Sequence, residues 1–333
     1  MTKLSEAMKK ARILLVLRYL EEQSDGQHTV SASELIEMLL KYGITAERKA
    51  IYSDIAALCS VGVPIETGGK SHGYYIESRQ FDMPEVCLLI DAVQSAEFIP
   101  AEKSRDLISR LEKQVSVHEA KMLRSRVCID NRPKSTNDSL YSIIEVLSRA
   151  IAEQKKVELC YLKNSIVESG FEVIKRNFKV SPYSLLWDND HYYLICNNEK
   201  YDNLMHLRID RCESAVMTDE KWRHFSSVSE YSQRFDTADY ARKVFNMFGG
   251  EVCRIDLECD ISLLDQVLDR FGKNIMIRPQ KENGTFRFTA DALVSEGLIG
   301  WIMQFGGRVR VLSPKALRDD LRTRSEELMR SSM

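Results

Sequence analysis

Apolar residues recur at helical spacing near the start of the chain. Ile13, Val16, Leu17 and Leu20 lie three or four positions apart, which predicts an amphipathic helix over Lys10–Glu22. Because only one stripe of this helix is apolar, it is expected to pack on a neighbouring element.

Two further helices are predicted to follow it. Ser31 or Ser33 can cap a helix that runs to Leu40, and Gly43 can supply the left-handed residue that ends it. Thr45 is placed to cap a third helix. The apolar stripe of that third helix is Ile51, Ile55 and Leu58.

The pattern then changes to the alternation that is typical of strands. Residues 63–66 and 73–76 alternate on either side of a turn at residues 67–71, which predicts a β-hairpin. Three short helices followed by a hairpin predict a winged helix-turn-helix over residues 1–80.

Residues 81–137 return to a helical pattern and form a predicted connector with a linker. One apolar face comprises Leu89, Ala92, Val93 and Ala96, and another comprises Leu107, Leu111 and Val115. These stripes exceed what a small DNA-binding domain needs to cover, so they predict a homodimer. Residues 131–137 are polar, contain a proline and lack any period, which predicts a linker.

The second half of the chain is predicted to hold two more domains, which complete an α+β multidomain fold. In residues 138–225, a helix over Leu140–Glu153 precedes strands that can close into a small β-barrel. Residues 226–333 comprise a linker and a β-α-β-β-α-β pattern, which predicts a ferredoxin-like α/β C-terminal domain followed by a helix from Lys315. The predicted barrel strands are Val157–Tyr161, Phe178–Trp187, His191–Cys196 and Leu204–Ile209.

Composition limits the classes of function. Lys and Arg number 47 against 49 Asp and Glu, so any DNA-binding surface must be local. The apolar runs are too short for a membrane helix, which predicts a cytoplasmic protein without a membrane partner. The eight cysteines form no C-x-x-C pair, so we expect free thiols, no metal site and no cofactor.

Two blocks of sequence are similar to WYL-domain transcription regulators of bacteria. Residues 44–55 and 73–76 resemble their recognition helix and wing. Val180–Leu185, His191–Leu194 and Leu207–Arg211 resemble the three signature segments of the WYL domain, although Tyr192 replaces the tryptophan that names it. The resemblance implies an Sm-like β-barrel WYL domain that senses a ligand, and a C-terminal extension domain after Gly250.

The third helix carries the residues expected to contact double-stranded DNA. Arg48 lies in its first turn and can donate two hydrogen bonds to a guanine edge. The alternative is that its basic residues only solvate an exposed helix face. The full set of predicted DNA-binding residues is Thr45, Arg48, Lys49, Tyr52 and Ser53, with Lys70 and His72 from the wing.

A second candidate site lies in the predicted barrel. His206 and Arg208 are two residues apart on a strand, so both point to one face, and Arg211 follows. With Tyr161, Ser181 and Tyr193 they are expected to bind an anionic, nucleotide-like or nucleic-acid-like effector. The alternative is that Arg208 pairs with an acidic neighbour, Asp210 or Glu213, and Tyr193 is part of the core.

These patterns favour a ligand-responsive transcription regulator over an enzyme. The sequence offers neither a metal-carboxylate cluster nor an acid-base pair, so no catalytic residue is assigned. A different alternative is an accessory nucleic-acid-binding subunit that modulates a defence or nucleic-acid-processing enzyme.

Overall fold

The computed structural model describes residues 6–68, 73–126, 134–167, 170–280 and 283–331. The chain divides into two compact units, residues 1–136 and 137–333. Both contain helices together with small antiparallel sheets.

The first unit begins with three helices and a two-stranded antiparallel hairpin. Ser31 caps the second helix in a reciprocal arrangement with Glu34, and Gly43 follows that helix with a φ of +72°. A bridge between Val30 and Tyr74 adds a short third edge to the hairpin. The elements are α1 (Glu6–Gln23), α2 (Ala32–Lys41), α3 (Arg48–Ser60), β1 (Ile65–Gly68) and β2 (Gly73–Ile76).

The third helix does not begin where the sequence predicts. Glu47 precedes its first residue, Arg48, so the prediction that Thr45 caps the helix is wrong. The interior does follow the predicted stripe, because Ile51, Ile55 and Leu58 are buried against α1 and α2. The turn between β1 and β2, with Lys70 and His72, lies outside the described residues.

Three helices complete the first unit, and the first of them buries a different face from the one that the sequence predicts. Val86 and Ile90 of α4 are buried, whereas Leu89 and Ala92 are exposed. Pro84 lies in the first turn of α4, which Asp82 caps. The apolar face expected to lie inside is therefore partly at the surface. The elements are α4 (Met83–Ser95), α5 (Ala101–Glu112) and α6 (Val117–Arg126).

The second unit opens with a helix against a five-stranded antiparallel sheet of order β6-β5-β4-β3-β7. The long strand β4 pairs with β3 up to Val180 and with β5 from Ser181 onward, with a register shift after Pro182. Among the described strands no ladder joins β6 to β7, so the closed barrel expected from the sequence is not confirmed. The elements are α7 (Leu140–Glu153), β3 (Lys155–Val167), β4 (Gly170–Asp188), β5 (His191–Asn197), β6 (Met205–Arg208) and β7 (Cys212–Lys221).

The C-terminal part folds as a four-stranded antiparallel sheet of order β11-β8-β10-β9 with helices. The predicted order of strands and helices is observed. Its core includes Ile255, Leu257, Phe288 and Leu298. The elements are α8 (Thr237–Lys243), β8 (Glu251–Asp260), α9 (Leu264–Phe271), β9 (Ile277–Gln280), β10 (Thr285–Val294), α10 (Glu296–Met303), β11 (Val309–Ser313) and α11 (Lys315–Ser331).

The segment before β8 joins two cores of the second unit. Phe245 is buried in the core of the C-terminal sheet, and Met247 is buried in a cluster with Tyr183 and Tyr240. A Cβ on Gly297 would collide with the backbone carbonyl of Phe245, so only glycine permits this close approach. Phe245 and Met247 therefore pack the two cores of this unit against one short segment.

No helix among the described residues combines the length and the apolar composition needed to cross a bilayer.

Candidate functional site

The first candidate site is the exposed face of α3. The side chains of Arg48, Lys49, Tyr52 and Ser53 are all exposed, and Thr45 is exposed just before the helix begins. Positions 49, 52, 53 and 56 are spaced at three and four residues, so they form one continuous face. Lys49, Tyr52 and Ser53 therefore share one solvent-accessible face, with Arg48 one turn before Tyr52.

A buried ion pair holds this helix against α1. The guanidinium of Arg12 donates to both carboxylate oxygens of Asp54, with Nε–Oδ2 at 2.5 Å and Nη2–Oδ1 at 2.8 Å. The two side chains are only 12% and 4% exposed. The hydrogen bond to Asp54 raises the pKa of Arg12, and the two-point geometry fixes the rotation of α3 about its axis. The helical period of α1 places Arg12 outside the apolar stripe, which predicts exposure to water, and the buried ion pair shows that this prediction is wrong.

Arg48 is positioned by α2 as well as by its own helix. Its Nη2 atom donates to the hydroxyl of Ser33 at 3.1 Å. Arg48 thus stands beside the first turn of α2, while its side chain stays exposed. A guanidinium carries five N–H donors, so those that do not contact Ser33 stay available to a nucleic acid.

The second candidate site is a cluster of two tyrosines and two arginines around the end of β6. Tyr193 of β5 pairs in register with Arg208 of β6, so both side chains lie on one face of the sheet. Arg211 lies beyond the strand, next to Tyr161. The structure therefore brings together four of the six predicted effector-binding residues.

The charge of Arg208 is already balanced within this cluster. Its Nε and Nη2 atoms donate to the two oxygens of Asp210 at 3.1 and 2.6 Å. Although burial disfavours the charged form, the Asp210 carboxylate keeps the pKa of Arg208 above its usual value. The Asp210 carboxylate thus offsets one of the two guanidinium charges, so the cluster is less cationic than the sequence predicts.

The tyrosines of the cluster are neutral phenols at physiological pH. Burial raises the pKa of Tyr161, against the opposing effect of the Arg211 guanidinium. Burial also raises the pKa of Tyr193, against the neighbouring Arg208. Both phenols can therefore donate a hydrogen bond and offer a ring for stacking, as recognition of a nucleobase or nucleotide requires.

Ser181 serves the backbone instead of this cluster. It is 1% exposed, and its hydroxyl accepts the N–H of Arg223 at 2.8 Å. The bond fastens the bend of β4 to the chain that leaves β7. The hydroxyl of Ser181 is therefore already engaged by the backbone, and its predicted role in effector binding stays a prediction.

His206 is neutral at physiological pH, so it adds no positive charge to the cluster, while its predicted role in effector binding stays a prediction. Burial lowers the pKa of His206 to about 4, and the ring Nε2 lies 2.8 Å from the hydroxyl of Tyr240. The backbone of Met247 accepts a second hydrogen bond from the ring. His206 thus ties β6 to α8 and to the segment between the two cores.

Sequence reasoning did not identify Tyr240 and Met247 as the partners of His206. Both come from more than 30 residues away, and the sequence carried no signal for their position. Asp210 could be foreseen, because it had been weighed as a partner of Arg208; the other candidate, Glu213, pairs with Lys175 at 2.6 Å instead.

Within the described residues, no group of three or more His, Cys, Asp or Glu side chains could hold a metal ion. The cysteines within the described ranges are free thiols.

Two protein families match parts of the second unit. Residues 142–217 match the WYL domain, and residues 251–329 match the WCX domain. The resemblance of the sequence to WYL-domain regulators is thereby confirmed. No curated protein matches the chain.

Two solved structures are similar to the chain at low identity. One is the proteasome accessory factor B/C (PafBC) of Arthrobacter aurescens, with 17% identity over 95% of this chain and 47% of that chain and a TM-score of 0.28. The other is a CRISPR Cas-related protein, with 15% identity over 77% of this chain and 75% of that chain and a TM-score of 0.36. The chain spans about half the length of the PafBC structure.

Proposed function

We propose that this chain, a member of the WYL-domain regulator family, binds double-stranded DNA through α3 and controls transcription in response to an anionic effector. We expect it to act by binding alone, in the bacterial cytoplasm and as a homodimer. The observation that carries the proposal is the exposed face of α3, on which Arg48, Lys49, Tyr52 and Ser53 stand together above a buried stripe.

The arrangement of elements supports finer fold assignments. In the first unit, α1 to α3 followed by the β1–β2 hairpin favour a winged helix-turn-helix, in which the third helix enters the major groove. In the second unit, α7 followed by five antiparallel strands with a bent β4 favours an open variant of the Sm-like barrel. The sheet order β11-β8-β10-β9 favours a ferredoxin-like C-terminal domain.

The chemistry of the second cluster suggests how an effector would act. A phosphate offers an acceptor pair similar to a carboxylate, so it can exchange with Asp210 on the guanidinium of Arg208. Arg211 would add a second charge, and Tyr161 or Tyr193 a stacking ring. Effector binding would thereby release Asp210 from Arg208.

The turn that contains Asp210 is also hydrogen-bonded to the linker, so release of Asp210 from Arg208 could change the position of the linker. The side-chain amide of Asn137 donates to the backbone carbonyls of Asp210 and Cys212 at 3.1 and 2.5 Å. At the other end of the same short segment, the ammonium of Lys134 donates to the carbonyls of Val93, Gln94 and Ala96 around the end of α4. A shift of the Asp210 turn would therefore pull on a chain segment anchored at both ends.

Selection of duplexes from a random-sequence DNA pool tests the proposed DNA-binding function. We expect the full chain to enrich a motif with two-fold symmetry, because a homodimer presents two copies of α3. Enrichment of single-stranded molecules, or of no motif, would contradict regulation by operator binding. It would favour the alternative of an accessory nucleic-acid-binding subunit.

A further inference from the structure

The hairpin formed by β3 and β4 extends beyond the sheet to which it belongs. Strand β7 pairs with β3 only as far as Tyr161, and β5 pairs with β4 only from Ser181. The β3–β4 ladder continues past the end of β7 to the pair Val167 and Gly170. We call the two-stranded segment of residues 162–167 and 170–175 the β-arm; within the described chain no further strand pairs with it.

One face of the β-arm is apolar and exposed. Ile166 and Phe171 are direct cross-strand partners, and Val173 lies two residues further along the same face, opposite Asn164. Their exposed fractions are 92%, 73% and 53%. A two-stranded ribbon has little stability alone in water, and a cluster of exposed apolar side chains is typical of an interaction surface.

Nearer the sheet, the lysines on the same face form ion pairs with glutamates of the chain. Lys175 contacts Glu213 at 2.6 Å, and Lys179 contacts Glu158 at 3.2 Å and Glu220 at 2.6 Å. Alternation along the strands places these lysines on the side that carries Phe171. Both lysines have carboxylate partners within the chain, so the face suits an apolar partner better than a nucleic acid or an acidic peptide.

We propose that the apolar face of the β-arm docks on the β-arm of a second copy of this chain, across a two-fold axis. The inference rests on the homodimer in the proposed function and identifies a contact surface for it. Such an axis brings a surface against its own copy, so the surface must be complementary to itself. An apolar patch with balanced charges beside it meets that condition, because no like charges are forced together.

The available area fits a substantial share of a dimer interface. The exposed parts of the three apolar side chains amount to roughly 350 Å² in each protomer, or about 700 Å² for the pair. A standard interface buries about 1,600 Å². The β-arm would therefore supply somewhat less than half, and the ion-paired strand residues beside it can form a polar rim.

The exchange Phe171→Glu tests the surface directly. It should place two carboxylates at the two-fold axis and raise the dimer dissociation constant by about a hundredfold or more. Sedimentation equilibrium should then give a mass near 38.3 kDa for the variant and about twice that for the wild type. Lys163→Glu, on the opposite face of the same ribbon, is the matched control and should remain dimeric.

A photo-crosslinking residue tests the same contact without adding charge. Benzoylphenylalanine in place of Phe171 should give a covalent dimer on irradiation, whereas the same residue in place of Glu172, on the opposite face, should not. If Phe171→Glu fails to fold, the cross-linking result alone shows whether the two β-arms are in contact. Cross-links confined to one chain would overturn the proposal.

The outcomes separate this proposal from the function on which it rests. If folded Phe171→Glu forms a dimer as tightly as the wild type does, the β-arm contact is overturned and the proposed homodimer still stands. A wild-type chain that is monomeric at micromolar concentration would overturn both. DNA selection by that monomer would show that DNA binding itself is independent of the β-arm.

Discussion

The two candidate sites differ in how their charges are used. On α3, Arg48 and Lys49 are exposed, and Arg48 has the neutral hydroxyl of Ser33 as a partner. Around β6, Arg208 is held by both oxygens of Asp210. The first surface can meet a phosphate backbone without prior rearrangement, whereas a ligand at the second must displace a carboxylate. A site whose occupation requires an exchange is suited to a switch, because binding and rearrangement are linked.

The largest expected effect concerns the support of α3. Arg12→Ala should leave Asp54 buried without its partner and lower the free energy of unfolding of the first unit by about 3–5 kcal/mol. Chemical denaturation followed by circular dichroism measures the loss. All three tryptophans lie in the second unit, so their fluorescence should show an unchanged transition there.

Arg18→Ala is the matched control for this loss. Arg18 lies on the same helix but is 72% exposed and pairs with Glu22 one turn away. Exposed pairs of this kind contribute little to stability, because water and salt screen the two charges. An equal loss in both variants would show that Arg12 and Asp54 do not specifically support α3.

The next largest effect is a loss of stability of the second unit at low pH. Because His206 has a pKa of about 4 in the folded chain, protonation of this residue favours the unfolded state. The stability that the neutral imidazole contributes is therefore lost as pH falls below about 6.5. Between pH 7.5 and pH 5 this should cost the second unit about 2 kcal/mol. His206→Gln should remove that part of the pH dependence, measured by tryptophan fluorescence. The same slope in both proteins would contradict a buried neutral imidazole.

The contrast also explains what the sequence could predict. On α3, the helical period alone places Lys49, Tyr52 and Ser53 on the face opposite Ile51 and Ile55, whatever the rest of the chain does. The roles of side chains around β6 depend on segments distant in sequence. The hydroxyl of Ser181 is occupied by Arg223, and His206 is neutral because α8 and Met247 cover it.

The sequence also could not predict which face of α4 is buried. In α4, both the predicted face with Leu89 and the observed face with Val86 and Ile90 are apolar, and spacing cannot choose between them. Tertiary packing decided which face is buried. The closed barrel is not confirmed for a related reason, since closure depends on which strand edges meet rather than on strand content.

At the DNA surface, we expect Arg48→Ala to lower operator affinity by about 1–3 kcal/mol with the fold intact. Gel-shift titration with the selected duplex measures the change, and an unchanged melting temperature establishes folding. Arg18→Ala removes an equal charge from α1 and should bind almost as the wild type does. Wild-type affinity in folded Arg48→Ala would remove this residue from the interface.

A smaller effect should appear at the linker. Asn137→Ala removes both bonds to the Asp210 turn and should reduce the coupling between effector and DNA by about 0.5–2 kcal/mol. The ratio of operator affinities with and without an oligonucleotide effector reports the coupling. Asn274→Ala, at an exposed turn of the C-terminal part, is a matched control and should retain it. An unchanged ratio in Asn137→Ala would exclude this route of transmission.

The most direct test of the account measures operator affinity of wild type and Arg208→Ala with and without short oligonucleotides or nucleotides. If α3 binds DNA and the β6 cluster senses the effector, Arg208→Ala should retain nearly full affinity in the absence of effector and lose the response to it. A folded variant that still responds fully, or that no longer binds DNA at all, would contradict the separation of the two sites.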